Sequence, residues 1–181
     1  MEDQRPKTLE HIKEVRRNLV KVINEVRSRA IHHDESKLVS PEREIFDEYT
    51  PKLKNATYGS GEYKKYLKEM KVALDHHYTN NRHHPEYFSK RWKCDDCNEE
   101  LGYSAVECPT CAHTNCFTRI GSIDKMNLID IIEMLCDWEA ATLRHADGDI
   151  KKSIEINQER FRYSDELKAI FLNTVDFLRR K

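Results

Sequence analysis

The chain has 181 residues, and its 31 lysines and arginines balance 32 aspartates and glutamates to a net charge of −1. This length suits one main domain with a sizeable core, and the balanced charge gives no whole-chain electrostatic reason to bind nucleic acid or an acidic membrane. No apolar run approaches the ~18 residues that span a bilayer, and the N-terminus lacks the apolar core of a signal peptide, so we expect a soluble, cytoplasmic protein without a membrane partner.

Hydrophobic periodicity predicts helices in the first half of the chain. Apolar residues recur at spacings of three and four and predict an amphipathic helix over about 8–31, with a buried apolar face. The helix-start signature Ser40-Pro41-Glu42 predicts a second helix over about 41–49, followed by a loop over 52–61. A third amphipathic helix is predicted over roughly 62–80.

The composition changes between positions 92 and 117, where helical periodicity is lost and five of the six cysteines fall. Two Cys-x-x-Cys pairs separated by ten residues are typical of a zinc ribbon, in which four thiolates bind Zn²⁺ tetrahedrally. The expected ligands are Cys94, Cys97, Cys108 and Cys111, with His113 and Cys116 as candidates to replace one of them. Because four protein ligands leave no open position for a substrate, we interpret this zinc as structural.

Helical periodicity resumes after the cysteine-rich segment. Apolar spacing predicts a helix beginning near Met126, a second over roughly 149–160, and a final one after the capping residues Ser164-Asp165-Glu166. The predicted fold class is therefore all-α, a bundle of about six helices over 1–91 and 118–181 with a small zinc-ribbon insert at 92–117.

Histidines and acidic residues form a second ordered set outside the ribbon. Its members in chain order are His11, His33-Asp34, His76-His77, His83-His84, Asp130, Glu133 and Asp137. A single histidine at a helix border is more often a hydrogen-bonded core residue than a ligand, but the repeated pairing with carboxylates favours a metal site. Imidazole with one or two carboxylates suits Zn²⁺, Mn²⁺, Fe²⁺ or Ni²⁺.

This order resembles the metal-site order of the HD-domain superfamily of metal-dependent phosphohydrolases. The stretch His33-Asp34-Glu35-Ser36-Lys37 is similar to the HD-x-[GS]-K form of that superfamily, and LCDWEAA at 135–141 is similar to its last-ligand helix. The HHPE stretch at 83–86, together with the inserted ribbon, resembles a small group of phage and bacterial HD-like proteins. The resemblance covers residues ~8–145 without the ribbon and implies an HD-like helical bundle.

The resemblance also implies a site for one or two divalent metals, Mn²⁺, Fe²⁺, Zn²⁺, Ni²⁺ or Mg²⁺. The implied metal ligands are His11, His33, Asp34, His77, His83 and Asp137, with His76, His84 and Asp130 as alternatives. Asp34 would bridge two metals or orient a water. The expected catalytic residues are Asp34 and Lys37, and the expected substrate-binding residues are Lys37, Arg82 and Arg144.

The implied activity is hydrolysis of a small-molecule phosphate ester, with a nucleotide as the expected substrate. Two other functions stay open: a non-enzymatic zinc-ribbon adaptor that binds nucleic acid or protein, and an HD-type di-iron oxygenase. A nucleic-acid partner is not favoured, because the few basic residues that flank the ribbon are mixed with five acidic ones.

Overall fold

The computed structural model of the protein describes residues 4–57, 60–89, 91–102, 107–114, 117–144 and 148–180. Over these residues the chain is mostly helical, with seven α-helices and one three-stranded sheet. It divides into two units, Met1–His33 and Asp34–Lys181. None of the described helices is long and apolar enough to cross a membrane.

The described part of the N-terminal unit is one long helix, α1 (Arg5–His32). A proline lies in its first turn, where the missing N–H is not needed, and Arg29 and His32 in the last turn face the negative end of the helix dipole. The periodicity predicted α1 to within three residues at each end. The expected burial of its apolar stripe is wrong: no residue of α1 is buried, and Leu19 is 56% exposed. A helix that forms a unit by itself has no second element of that unit to cover the stripe.

Three helices open the second unit: α2 (Glu42–Asn55), α3 (Gly61–Glu69) and α4 (Lys71–Asn80). A 3-10 turn, Glu35–Leu38, precedes α2, and another, Pro85–Phe88, follows α4. The predicted second helix is too short, because α2 continues through Pro51 and part of the predicted loop is helical. Pro51 is exposed, and α2 ends only where the backbone of Ala56 becomes extended.

Met70 divides the predicted third helix into α3 and α4. Its side chain is buried, and the residue ends α3 and begins α4. The amide of Met70 donates to the Tyr66 carbonyl at 2.9 Å, and the Leu74 amide donates to the Met70 carbonyl at 3.0 Å. Because hydrogen bonding and apolar spacing both continue across this break, periodicity in the sequence does not reveal it.

The cysteine-rich segment contains an antiparallel sheet of β1 (Arg91–Cys94), β2 (Glu100–Gly102) and β3 (Phe117–Arg119), with β1 in the centre. Successive residues of a strand point to opposite faces. Cys94, Leu101 and Phe117 belong to a small buried core on one face, whereas Arg91 and Lys93 are exposed. The sheet therefore has one apolar face, and the other face carries Arg91 and Lys93 together with Glu100, which is paired with Lys93.

The last three helices, α5 (Leu128–Thr142), α6 (Ile150–Phe161) and α7 (Asp165–Leu178), enclose the main core of the second unit. Their N-terminal amides are capped by the side chains of Asn127, Asp149 and Ser164, and the predicted starts of α6 and α7 agree with these caps. The core contains Met134, Leu135, Ile150, Ile154, Phe161, Tyr163, Phe171 and Val175. This packing fixes α5, whose acidic residues contribute to the site described next.

Candidate metal centres

Asp34 lies on a tight turn that presents its carboxylate to α4. Its backbone is left-handed, with φ of 58°, a conformation that aspartate tolerates better than most residues. The Asp34 carbonyl accepts a hydrogen bond from the Lys37 amide at 2.9 Å, and the 3-10 turn follows directly. On the Asp34 side chain, Oδ2 lies 2.6 Å from Lys37 Nζ, and Oδ1 lies 3.4 Å from the Nε2 atoms of both His77 and His83.

His77 is buried on α4 and is oriented by Glu42, the first residue of α2. Glu42 is fully buried, and its Oε2 lies 2.8 Å from His77 Nδ1. A carboxylate accepts a hydrogen bond from a ring N–H, so this contact makes Nδ1 the donor and leaves the lone pair on Nε2. The same Glu42 binds the neighbouring histidine through Oε1, 2.7 Å from His76 Nδ1.

His83 and His84 lie in the turn that follows α4. The Nδ1 atom of His83 is 3.2 Å from Oε1 of Glu133 on α5, so a second carboxylate orients a second ring. The Nε2 atom of His84 lies 2.8 Å from the Nε2 atom of His77. His83 and His84 therefore both contribute to the cluster, whereas the sequence suggested only one of them.

One donor atom each from Asp34, His77, His83 and His84 lies within 4.8 Å of the other three, and the four residues could hold a metal ion. Burial lowers the pKa of His77 to about 4, and burial together with the neighbouring His83 lowers the pKa of His84 well below its usual value. Both rings are therefore neutral at pH 7, the form in which imidazole binds a metal. We refer to these four residues as the His/Asp centre.

The other predicted ligands lie in different surroundings. A carboxylate oxygen of Asp137 is within 4.8 Å of one of Asp34, so these two carboxylates could contribute to a metal site. Asp130 is fully buried but belongs to a capping box with Asn127 and accepts two hydrogen bonds from Arg82. His11, which is exposed, and His33 belong to the N-terminal unit.

The three cations expected to bind substrate lie in different places in the structure. Lys37 lies beside the His/Asp centre, with Nζ on Asp34 and 5.0 Å from the centre of the Phe46 ring. Arg82 is engaged by Asp130 and lies over the rings of Tyr87 and Phe88. Arg144 follows the end of α5 and is exposed. Of the three cations, only Lys37 contacts the His/Asp centre through an interaction that the structure records.

Two further side chains contact histidines of the His/Asp centre, namely Glu42 and Glu133, and neither is among the expected ligands or catalytic residues. Glu42 contacts the Nδ1 atom of His77, and Glu133 contacts the Nδ1 atom of His83. For Glu133 a signal existed, since it lies on α5 between Asp130 and Asp137 at helical spacing. For Glu42 the sequence left two interpretations open, a hydrogen-bond partner of a histidine or an acidic residue that stabilises the first turn of a helix, and the structure brings it to His77.

The four cysteines of the ribbon form a second cluster and could also hold a metal ion. Cys94 Sγ lies 3.6 Å from Cys111 Sγ, and Cys97 Sγ lies 3.4 Å from Cys108 Sγ. Backbone amides of Cys97 and Asp96 lower the pKa of Cys94 to about 6, whereas burial and the neighbouring thiols raise the pKa of Cys111, so the metal-free cluster favours a thiolate at Cys94. His113 instead contacts Asp96 at 3.0 Å, and Cys116 lies outside the described residues.

The two Cys-x-x-Cys turns share one backbone conformation. In the first, the Asn98 amide donates to the Cys94 carbonyl at 2.9 Å, and the Cys94 amide donates to the carbonyl of Glu99 at 2.8 Å. The second repeats both bonds, from the Ala112 amide to the Cys108 carbonyl at 2.8 Å and from the Cys108 amide to the carbonyl of His113 at 2.9 Å. The residue after each second cysteine is left-handed, with φ of 64° at Asn98 and 55° at Ala112.

One family model matches the chain over a range that includes both clusters. No curated protein matches the chain, and no solved structure matches it. The model of a family of unknown function, DUF5662, matches residues 1–179, and the chain therefore belongs to the DUF5662 family.

Proposed function

We propose that the protein is a metal-dependent phosphohydrolase that acts on a nucleotide or a related phosphate ester, with an HD-like arrangement of its helices. The proposal rests above all on the His/Asp centre, in which histidine Nε2 atoms converge on one aspartate while Glu42 and Glu133 occupy the Nδ1 atoms of His77 and His83. Carboxylates in this position orient metal-binding histidines and raise their basicity.

The donor set fits a divalent transition metal. Neutral imidazole nitrogens with a carboxylate suit Zn²⁺, Fe²⁺, Mn²⁺ or Ni²⁺, and a second ion would find carboxylates at Asp34 and Asp137. A bound divalent ion would lower the pKa of a water and offset the charge that develops on phosphoryl oxygens. This is the chemistry that hydrolysis of a phosphate ester requires.

Lys37 is the residue of this chain best placed to bind the phosphate. Its ammonium group contacts Asp34 Oδ2, whereas His77 and His83 lie near Asp34 Oδ1. Lysine acts on phosphate as a flexible point charge, so Lys37 can exchange Asp34 Oδ2 for a phosphate oxygen without moving the backbone. Asp34 would then bind metal through Oδ1 and orient water through Oδ2.

For the ribbon we propose structural Zn²⁺. Four cysteines in two equivalent turns are the ligand set of closed tetrahedral zinc sites, and the core around them is small. A segment of this size does not bury enough apolar surface to fold alone, so the metal would supply much of its folding free energy.

The test measures the metal content per chain by mass spectrometry and then phosphate release from a panel of nucleotides after Mn²⁺ is added. Wild type should carry metal beyond the ribbon zinc, and Asp34→Ala should lose that metal and the activity. Asp47→Ala, which removes an exposed aspartate of α2, should change neither.

Equal metal content in wild type and Asp34→Ala, with no phosphate release after Mn²⁺ is restored, would contradict the proposal and favour the zinc-ribbon adaptor. Bound iron with a product that depends on O₂ would favour the oxygenase instead. Circular dichroism of each variant separates loss of the site from loss of the fold.

A further inference from the structure

A groove with a volume of about 650 Å³ lies between the ribbon and the C-terminal end of α6, within the second unit. One wall is the ribbon sheet, the other is the end of α6, and residues 120–124 form part of the lining. Gly121 permits this close approach, because a Cβ there would lie 2.5 Å from the Phe161 ring. The volume is within the range of small-ligand sites in proteins.

The lining of the groove is basic. Its cationic residues are Arg91, Lys93, Arg119, Arg160 and Arg162, and its acidic residues are Glu100, Asp124 and Glu159. Basic and acidic residues are interspersed in the sequence around the ribbon, but strand alternation places Arg91 and Lys93 on the same face of β1. Arg160 is paired with the buried Glu86, so the remaining positive excess is carried by the other four cations, and a concave surface with a positive excess concentrates anions.

The acidic residues of the ribbon are largely occupied by other partners. Glu100 in the groove lies between two arginines, 3.1 Å from Arg91 Nη1 and 3.6 Å from Arg162 Nη2. Outside the groove, Asp95 accepts a hydrogen bond from Thr118, and Asp96 contacts His113. The contacts of Glu100 hold the Arg91 and Arg162 side chains across the groove.

We propose that this groove is a second binding site, distinct from the His/Asp centre, for a phosphate-bearing ligand. Arg91 and Lys93 would bind phosphate oxygens from the sheet side, and Arg162 from the α6 side. Arginine forms paired hydrogen bonds to phosphate, and lysine adds a point charge. The phosphate can belong to a free nucleotide or to the backbone of a short single-stranded nucleic acid, since both present the same group.

The experiment follows fluorescence anisotropy of a labelled oligothymidylate with the zinc-loaded full chain, and then its competition by ATP. The variants Lys93→Glu and Arg162→Glu reverse one charge on each wall, and each should weaken binding by about tenfold or more, with a smaller salt dependence. Lys151→Glu, an exposed charge near the start of α6, is the matched control and should leave binding unchanged. Zinc content and circular dichroism verify that each variant is folded.

The outcomes separate the sources of the phosphate and the two sites. Competition by ATP at a similar concentration would identify a nucleotide ligand, and oligothymidylate binding that ATP does not displace would identify nucleic acid; both support the groove. Binding of neither probe, or equal loss in Lys151→Glu, would overturn the proposal. Asp34→Ala should retain binding, and loss of binding in that variant would assign the ligand to the His/Asp centre instead.

Discussion

Glu42 is fully buried, and both of its carboxylate oxygens are in use. Oε2 lies 2.8 Å from His77 Nδ1 and accepts the hydroxyl hydrogen of Ser36 at 3.0 Å, while Oε1 lies 2.7 Å from His76 Nδ1. Asn81 adds a hydrogen bond to Ser36 at 2.8 Å. Asn81 Nδ2 also lies 2.9 Å from His77 Nδ1, so the Glu42 carboxylate is the charged partner of a ring that Asn81 helps to position.

Glu42→Gln keeps the size of the side chain but replaces the charged acceptor with an amide. Because partners of this kind typically contribute 10–100-fold in metal affinity, we expect Mn²⁺ or Zn²⁺ to bind the His/Asp centre about 10–100-fold more weakly, measured by calorimetry on protein with an intact ribbon. Glu48→Gln, an exposed change on the same helix, is the control. Equal affinity in both variants would show that Glu42 serves only the fold.

The pKa of His77, lowered by burial to about 4 from 6.5, predicts acid sensitivity of the metal-free protein. Between these two pH values the unfolded chain binds a proton at His77 that the folded chain does not, so the free energy of unfolding should fall as the pH falls from about 6.5 to about 4. Above about pH 7 this group should have no effect.

Urea unfolding of chelator-treated protein measures this dependence. His77→Gln removes the titrating ring, so the urea concentration that unfolds half of this variant should vary less with pH between about 6.5 and about 4. An identical pH dependence in wild type and His77→Gln would assign the acid sensitivity to other groups.

Ala112 adopts the left-handed backbone that its cysteine turn requires. Alanine pays about 1 kcal/mol for this conformation and glycine does not, so Ala112→Gly should stabilise the ribbon by up to about 1 kcal/mol. The chelator concentration that releases half of the ribbon metal should rise. Asn98→Ala makes the opposite change in the equivalent turn and should lower it; a shift in the same direction for both variants would contradict the conformational explanation.

At the scale of elements, α5 serves three parts of the second unit at once. Its first turn carries the capping box of Asn127 and Asp130, its second turn places Glu133 on His83, and Trp138 stacks against Phe161 in the core. A displacement of α5 would therefore affect the core and the His/Asp centre together.

Asp130→Asn tests whether Asp130 supports the fold or binds metal. The carboxylate of Asp130 accepts two hydrogen bonds from Arg82 and one from the Asn127 amide, so its loss should lower the free energy of unfolding by about 2 kcal/mol. Metal content should stay at the wild-type value, whereas Asp34→Asn should lower metal content with a smaller effect on stability. Loss of metal in a folded Asp130→Asn protein would make Asp130 a ligand.

Sequence periodicity predicted the helices whose apolar stripe is uninterrupted, notably α1, α6 and α7, because helical spacing is a local property of the chain. Periodicity missed the break at Met70, where the apolar spacing continues although the Met70 backbone leaves the helical conformation. The cysteine spacing likewise predicted the ribbon cluster, since both turns are local. The contacts of Glu42 with His77 and of Glu133 with His83 join distant parts of the chain, and no local pattern encodes them.

At the scale of the whole molecule, the two candidate metal centres belong to different parts of the second unit and share no ligand residue. Cys94→Ser should therefore release about one zinc per chain and leave the metal that depends on Asp34 in place. Elemental analysis of Cys94→Ser, Asp34→Ala and the double variant measures this independence. Loss of both metals from Cys94→Ser, with helicity retained, would show that the two sites are coupled.

The position of the ribbon in the chain has a consequence for folding kinetics. From His83 to Glu133 the chain runs 50 residues, and β1 and β3 pair at Trp92 and Arg119 within this stretch. Once the ribbon has folded around the proposed zinc, the flexible chain that must close to bring Glu133 to His83 is about half as long, which lowers the entropic cost of closure by about 0.6 kcal/mol. Folding with zinc present should therefore bring α5 to its partner about threefold faster, so that the ribbon shortens the search that completes the His/Asp centre.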